Sequence, residues 1–176
     1  MEQNTSHLTC ACGAFHLDLH ATPIITTECH CDSCKQAAGR LAALPVSQPM
    51  QMNDGGTHYV LYRKDRVTFP AGTDTLREFR LGADSSTRRV VTACCNTPVF
   101  LEFKGGHWLS LYGNLWDESR RPAIELHTMV PKGANVPNDV PSGAWATAGF
   151  YGKLLIAWIA MGFKVPAIAI SGAVKA

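Results

Sequence analysis

The chain has 176 residues, 46% of them hydrophobic and 17% charged, with a formal net charge of +2. That length holds one domain with a real core and is too short for two comfortable ones. The composition excludes a disordered or collagen-like chain, and the small net charge argues against nucleic acid as the principal partner.

The opening stretch "MEQNTSHLTCACG" has no basic region followed by an apolar run, so it does not have the form of a signal peptide. Without secretion, the seven cysteines are poor material for a disulfide framework, because the cytosol keeps thiols reduced. Metal binding or catalysis is the better default, and the odd count agrees.

In "AFHLDLH", Phe15, Leu17 and Leu19 alternate with His16, Asp18 and His20, the pattern of a half-buried strand. "GGTHYVLYRKDRVTF" opens on a glycine turn and carries two short strand-like runs. "TLREFRL" and "TRRVVTAC" flank the polar loop "GADSS", and "TPVFLEF" and "HWLSLYGNLW" flank "KGG", which predicts two hairpins. "AIELHTMV" is one more strand, ending at Pro131. Arg63, Lys64 and Arg66, and then Arg88 and Arg89, form small basic runs that are expected at solvated strand ends or hairpin tips. Short strands at regular spacing argue for a mainly antiparallel β domain.

"PKGANVPNDVPSG" (131–143) is rich in Pro, Asn and Gly and predicts an irregular linker. "AWATAGFYGKLLIAWIAMGFK" then turns helical: Tyr151, Leu154, Leu155, Trp158 and Met161 recur at helical spacing, but the opposite face is apolar too. Lys153 and Lys164 bracket ten apolar residues, about 15 Å of helix and far short of a bilayer core. It is not a membrane span. Packing on the sheet, a homodimer contact and a membrane-surface role stay open for it.

All seven cysteines fall in three places: "TCACG" (Cys10, Cys12), "ECHCDSC" (Cys29, Cys31, Cys34) and "ACCNTP" (Cys94, Cys95). Buried, unreactive cysteines would scatter singly through apolar runs. These cluster beside turn residues, in loops between the predicted strands. C-x-C on an extended segment puts both sulfurs on one face, and C-x-C-x-x-C can present three thiolates to one centre. Zinc prefers soft sulfur in tetrahedral array, and seven ligands divide into a closed four-cysteine site and a three-cysteine site with one vacancy, the mark of a catalytic zinc.

C-x-C-G, then C-H-C-x-x-C with a following basic residue and Gly, then a cysteine before Thr-Pro, form an ordered series from about Leu8 to Trp116. The series resembles the glutathione-dependent formaldehyde-activating family, to which centromere protein V also belongs. "GGT" at 55–57, "F-x-x-G" at 69–72 and "CCNTP" together resemble a bacterial branch of it. The resemblance implies an antiparallel β-tent fold, a cytoplasmic location and about two zinc ions. With the residue reading above, the expected organisation is a zinc-binding β-tent domain at 1–130, the irregular linker at 131–143 and a helical segment at 144–176 packed on the domain. The resemblance assigns Cys10, Cys12 and Cys95 to a structural zinc, and Cys29, Cys31 and Cys34 to an open one. There the thiol of glutathione, the implied co-substrate, adds to formaldehyde to give S-hydroxymethylglutathione.

One departure matters. The family's third motif is usually C-x-x-C-G-T-P; this chain has Thr92 where the first cysteine belongs and Asn96 in place of Gly. Cys94 is the candidate fourth ligand, although neighbours on a strand point to opposite faces, so both could serve only if the chain turns sharply there. Asn96 suits such a turn, because Asn tolerates positive φ. A core cysteine, and a redox partner or part of the active site, are the other readings of Cys94; if it is not a ligand, a nearby His or a water completes the site, with His7 the candidate.

A zinc held by three thiolates is electron-rich and a poor generator of hydroxide; it suits holding an incoming thiol in its nucleophilic form. His30 is expected to point away from the metal, with a hydrogen-bonding role and a proton-shuttle role both open. Lys35 and Arg40 are candidates for the carboxylates of a tripeptide thiol. His7, His16, His20, His58, His107 and His127 show no ligand spacing and read as ordinary. A thioredoxin-like redox motif would need a strand–helix context in an α/β domain, and a nucleic-acid-binding ribbon would need a basic, aromatic face. The main rival is a non-catalytic zinc module for a protein partner, since fold alone does not decide function.

Overall fold

The computed structural model of the chain describes residues 5–45, 48–134, 136–137 and 139–176. Residues 1–4 and two positions of the 131–143 segment, 135 and 138, lie outside the described residues, and with them parts of two stretches read above. Ten strands run in order: β1 (Thr5–Thr9), β2 (His16–His20), β3 (Ile25–Cys29), β4 (Thr57–Arg63), β5 (Val67–Ala71), β6 (Leu76–Phe79), β7 (Thr87–Thr92), β8 (Pro98–Phe103), β9 (Trp108–Tyr112) and β10 (Leu126–Thr128). Helix α1 (Asp32–Leu41) follows β3, and helix α2 (Ala144–Ala160) follows β10. The strands form a three-stranded sheet, β1-β2-β5, and a seven-stranded sheet, β10-β3-β4-β9-β8-β7-β6. Every pairing is antiparallel except β10 on β3, which is parallel. The two hairpins expected around "GADSS" and "KGG" are both present.

The architecture follows from which faces the sheets bury. Phe15, just before β2, and Leu17, Leu19 and Val67 of the small sheet pack against Val60, Leu76, Val90, Phe100 and Leu109 of the large one. The other face of the large sheet carries Ile25, Tyr59, Leu61, Val91, Leu101 and Tyr112, covered by Ala37, Ala38 and Leu41 of α1 and Leu154 of α2. A sheet covered on both faces loses period-two alternation, so β4 is buried at six consecutive positions. At Gly72, φ is 76° and an added Cβ would lie 2.4 Å from the Ala14 carbonyl oxygen, so only glycine lets β5 close against β2.

Three sequence expectations need correction. The "CDSCKQAAG" stretch is not a loop: Cys34, Ala37, Ala38 and Leu41 form the buried stripe of a ten-residue helix, an i, i+3, i+4, i+7 pattern masked by small side chains. The C-terminal segment is helical only to Ala160; Gly162 (φ 63°) and Phe163 (φ 58°) then turn left-handed, and the Phe163 amide donates back to Trp158 in a closing turn. The tail beyond runs unwound, and Ala173 bridges Glu78 at the edge strand β6. The basic runs are not all solvated: Lys64 is buried on Glu102, and Arg89 is fully buried. α2 leans on the domain by one edge, through Leu154 and Ala157, with His107 Nε2 2.9 Å from the Leu154 carbonyl and its ring stacked on Trp158. Its other side leaves Trp145, Tyr151, Leu155, Ile156 and Ile159 exposed.

Candidate functional site

The first cysteine group forms where two strand ends meet. After β1, the Cys10 carbonyl accepts from Gly13, and the Cys10 amide donates to Phe15, a turn that lifts Cys10 and Cys12 together. After β7, Asn96 takes φ 52° and its amide donates to the Thr92 carbonyl, which is the sharp turn that two adjacent cysteines require. The sulfurs of Cys10, Cys12, Cys94 and Cys95 all lie within 4.8 Å of one another. Neighbouring separations are 3.5 Å (Cys10–Cys12), 3.7 Å (Cys10–Cys94) and 3.8 Å (Cys94–Cys95). A tetrahedral zinc with Zn–S near 2.3 Å sets its sulfurs about 3.8 Å apart, so the donor set fits that ion. Thr92, standing where the motif's cysteine would be, puts its hydroxyl 3.4 Å from the Cys95 sulfur, and Thr97 Oγ1 lies 3.1 Å away on another side. His7 is elsewhere, its ring 2.7 Å from the Asp18 carboxylate.

The second group sits at the junction of β3 and α1. Cys29 ends the strand, Cys31 caps the helix, and Cys34 lies in its first turn. Their sulfurs lie within 4.8 Å of one another, with Cys29 and Cys34 at 3.8 Å. The positive end of α1 favours thiolate here. Hydrogen bonds from Cys29 and Cys34 drive the Cys31 thiol far down, and the same contacts drive Cys34 far up. Three such thiols cannot all ionise without a cation among them.

Behind this group lies a buried polar relay that the sequence did not disclose. The Cys34 sulfur is 3.4 Å from the Tyr59 hydroxyl, and the Tyr59 ring packs on Tyr112 at 5.1 Å. Burial raises both phenols, and the Arg89 charge pulls the other way on Tyr112. Arg89 donates from Nη2 to the Ser33 carbonyl at 3.0 Å, while Nε and Nη1 have no hydrogen-bond partner among the described residues. Among the described residues no carboxylate pairs with it. A fully buried, unpaired guanidinium is costly unless a negative centre lies close. Zinc on three thiolates carries a net charge of about −1, and so the surroundings as well as the spacing fit that group.

His30 does point away from the sulfurs. Strand alternation carries it to the other face with Glu28, where it meets His127. Burial lowers its imidazole, and burial together with Asp54 raises the Glu28 carboxyl to about 7. Lys35 is exposed on α1 and makes no ion pair among the described residues. Arg40 is engaged by the chain itself: it donates to the Ala176 oxygen at 2.6 and 3.0 Å and lies over the Phe79 ring. His127 is not ordinary; the parallel β10–β3 pairing sets it beside Glu28. Only its place in a strand was legible, because the pairing joins residues 99 positions apart.

A mainly β domain with two sheets, and with cysteine groups spaced to hold soft metal ions, defines a class of small thiolate-metal proteins. Residues 5–128 match the family described as glutathione-dependent formaldehyde-activating enzyme, and the chain belongs to that family. The match covers both cysteine groups and ends at β10, and α2 lies outside it. No curated protein matches the chain. A crystal structure of a Rhodobacter sphaeroides protein is similar at 12% identity and a TM-score of 0.46, covering 78% of this chain and 100% of that one.

Proposed function

We propose that the protein is a zinc-dependent carbon–sulfur lyase of the glutathione-dependent formaldehyde-activating type, joining a small thiol to an aldehyde. The observation that carries this reading is the three-thiol group at the head of α1, backed by a buried cation without a carboxylate. Cys10, Cys12, Cys94 and Cys95 would hold a structural zinc, and Cys29, Cys31 and Cys34 would hold a second. That second ion supplies a place where an incoming thiol is held as thiolate. The chain's own groups do the rest. Lys35 draws the carboxylates of a glutathione-like thiol, with Arg40 in reserve behind the tail. Arg89 and the helix terminus offset the accumulated negative charge. The thiolate sulfur attacks the aldehyde carbon; a carbon–sulfur bond forms as the carbonyl π pair moves to oxygen, which takes a proton equivalent to the one the thiol lost. The reverse reaction breaks the same bond. His30 lies on the opposite face of the chain and has no part in that proton's path.

Exchange spectroscopy by NMR, on a mixture of glutathione and formaldehyde, tests this directly. Wild type accelerates exchange between free thiol and S-hydroxymethyl adduct, and Cys31→Ala does not. Equal exchange in both would remove the catalytic reading.

A second reading, a zinc module that binds a partner without chemistry, is favoured by the exposed apolar face of α2. In its simplest form two copies pair through that face. Sedimentation velocity then gives a dimer for wild type and a monomer for a variant carrying Ile156→Gln and Ile159→Gln.

A further inference from the structure

One cluster belongs to neither cysteine group. β3 and the residue after it alternate sides, so Cys29 and Cys31 face α1 while Glu28 and His30 face the other way. The His30 amide donates to the Thr128 carbonyl, extending the parallel pairing, and Glu28 stands in register with His127. Three side chains therefore converge, and their exposures are only 3% (Glu28), 4% (His30) and 2% (His127).

From this convergence we infer that Glu28, His30 and His127 form a third metal site, for a divalent first-row transition ion bound by two imidazoles and one carboxylate. Glu28 Oε2 lies 3.0 Å from His127 Nδ1 and 3.4 Å from His30 Nε2, and the two nitrogens are 3.4 Å apart. Donors about 2.0–2.1 Å from a tetrahedral ion stand about 3.3–3.4 Å from one another. The Glu28–His127 edge is also a hydrogen-bond distance, so the two edges at His30 are the ones that favour a metal. His30 Nε2 sits at 3.4 Å from both neighbours, long for a hydrogen bond to either and equally placed for an atom at the centre.

The surroundings have the features of a metal's outer shell. His127 Nε2 is 3.2 Å from Asp139 Oδ1, so the distal nitrogen can donate to a carboxylate while Nδ1 presents its lone pair to the centre. The His127 amide donates to the Pro141 carbonyl, which holds the Asp139 segment over the strand. Asp139 itself is exposed. Space for the Glu28 side chain depends on Gly56, where an added Cβ would meet Glu28 Cγ and Cδ at 2.5 Å. Nitrogen and oxygen donors set this site apart from the thiolate groups: it takes zinc, iron(II), cobalt(II) or manganese(II), and three protein ligands leave a position open.

Cobalt(II) titration of the metal-free, reduced full chain tests the assignment, because thiolate-bound cobalt gives intense sulfur charge-transfer bands and an imidazole–carboxylate site does not. Wild type is expected to bind one equivalent of cobalt that adds d–d absorption and no sulfur band. His127→Gln loses that equivalent and keeps its sulfur bands. Asp139→Asn, a change at an exposed position, weakens the same equivalent by roughly 10- to 100-fold. The readout does not depend on whether the cysteine groups load, so it separates this site from the proposed catalytic one. Wild-type protein that binds cobalt only with sulfur bands overturns the inference whatever the variants do, as does a His127→Gln protein that still takes the sulfur-free equivalent.

Discussion

Replacing Arg89 with Met separates the metal-free and zinc-loaded states of the protein in opposite directions. The side chain is fully buried beside the Tyr112 phenol, and among the described residues it donates to the Ser33 carbonyl in the first turn of α1. Without metal, Met removes a bond to a charged group of about 1.5–3 kcal/mol and relieves a desolvation cost of several kcal/mol. The apo protein should therefore be as stable as wild type or more so. With zinc on Cys29, Cys31 and Cys34, the same change strips the counter-charge from a centre of about −1. For opposite unit charges about 8 Å apart at an effective dielectric of ~20, Coulomb's law gives about 2 kcal/mol, which sets the scale of the loss. That corresponds to roughly 30-fold weaker zinc binding at this site. Urea denaturation of apo and zinc-saturated protein, with a competitive chelator titration for affinity, measures both terms. A variant whose apo stability drops by several kcal/mol while its zinc affinity is unchanged would refute the counter-ion argument and make Arg89 a purely structural residue.

Three further outcomes follow from the same geometry. Burial, with Arg121 nearby, lowers His58 to about 4; its unfolded value is near 6.5, so the unfolded chain binds more protons between those values, and stability falls as pH drops through that window. The loss is about 3 kcal/mol at most. The difference in urea midpoint between pH 7 and pH 4.5 should shrink in His58→Leu, and an unchanged difference would discount the burial argument. Gly56→Ala should cost about 1–3 kcal/mol through overpacking against Glu28, read as a lowered melting temperature together with loss of sulfur-free cobalt binding. Lys35→Glu should raise the KM for glutathione by roughly tenfold or more, the cost of turning an attractive charge into a repulsive one, with kcat little changed; an equal fall in kcat would place Lys35 nearer the reacting atoms than the proposal does.

The strands legible in the sequence are those that alternate, such as Phe15, Leu17 and Leu19, or those that flank a turn of known chemistry, such as the hairpin around Ser85 and Ser86. β3 was not legible, because Thr26, Thr27 and Glu28 are buried polar residues on a sheet covered on both sides. α1 was hidden by the smallness of Ala37 and Ala38 and by the cysteines themselves. The first cysteine group could be anticipated as a set, since the turn at Asn96 follows from a residue that accepts positive φ. The environment of the second could not: Arg89 sits in a basic pair that looks solvated, and only the pairing of β7 within the sheet carries it under α1. The Glu28–His30–His127 cluster depends on a parallel pairing between β3 and β10, and no spacing along the chain announces a contact of that range.

The proposed function stands on the Cys29–Cys31–Cys34 centre accepting an exogenous thiol. Saturating glutathione added to the cobalt-loaded protein, followed by sulfur-to-cobalt charge-transfer absorption, tests it without depending on turnover. Entry of an eighth thiolate beside those of the chain's seven cysteines should raise that absorption in wild type and leave Cys31→Ala unchanged. Wild-type bands that stay constant through saturation would contradict the account.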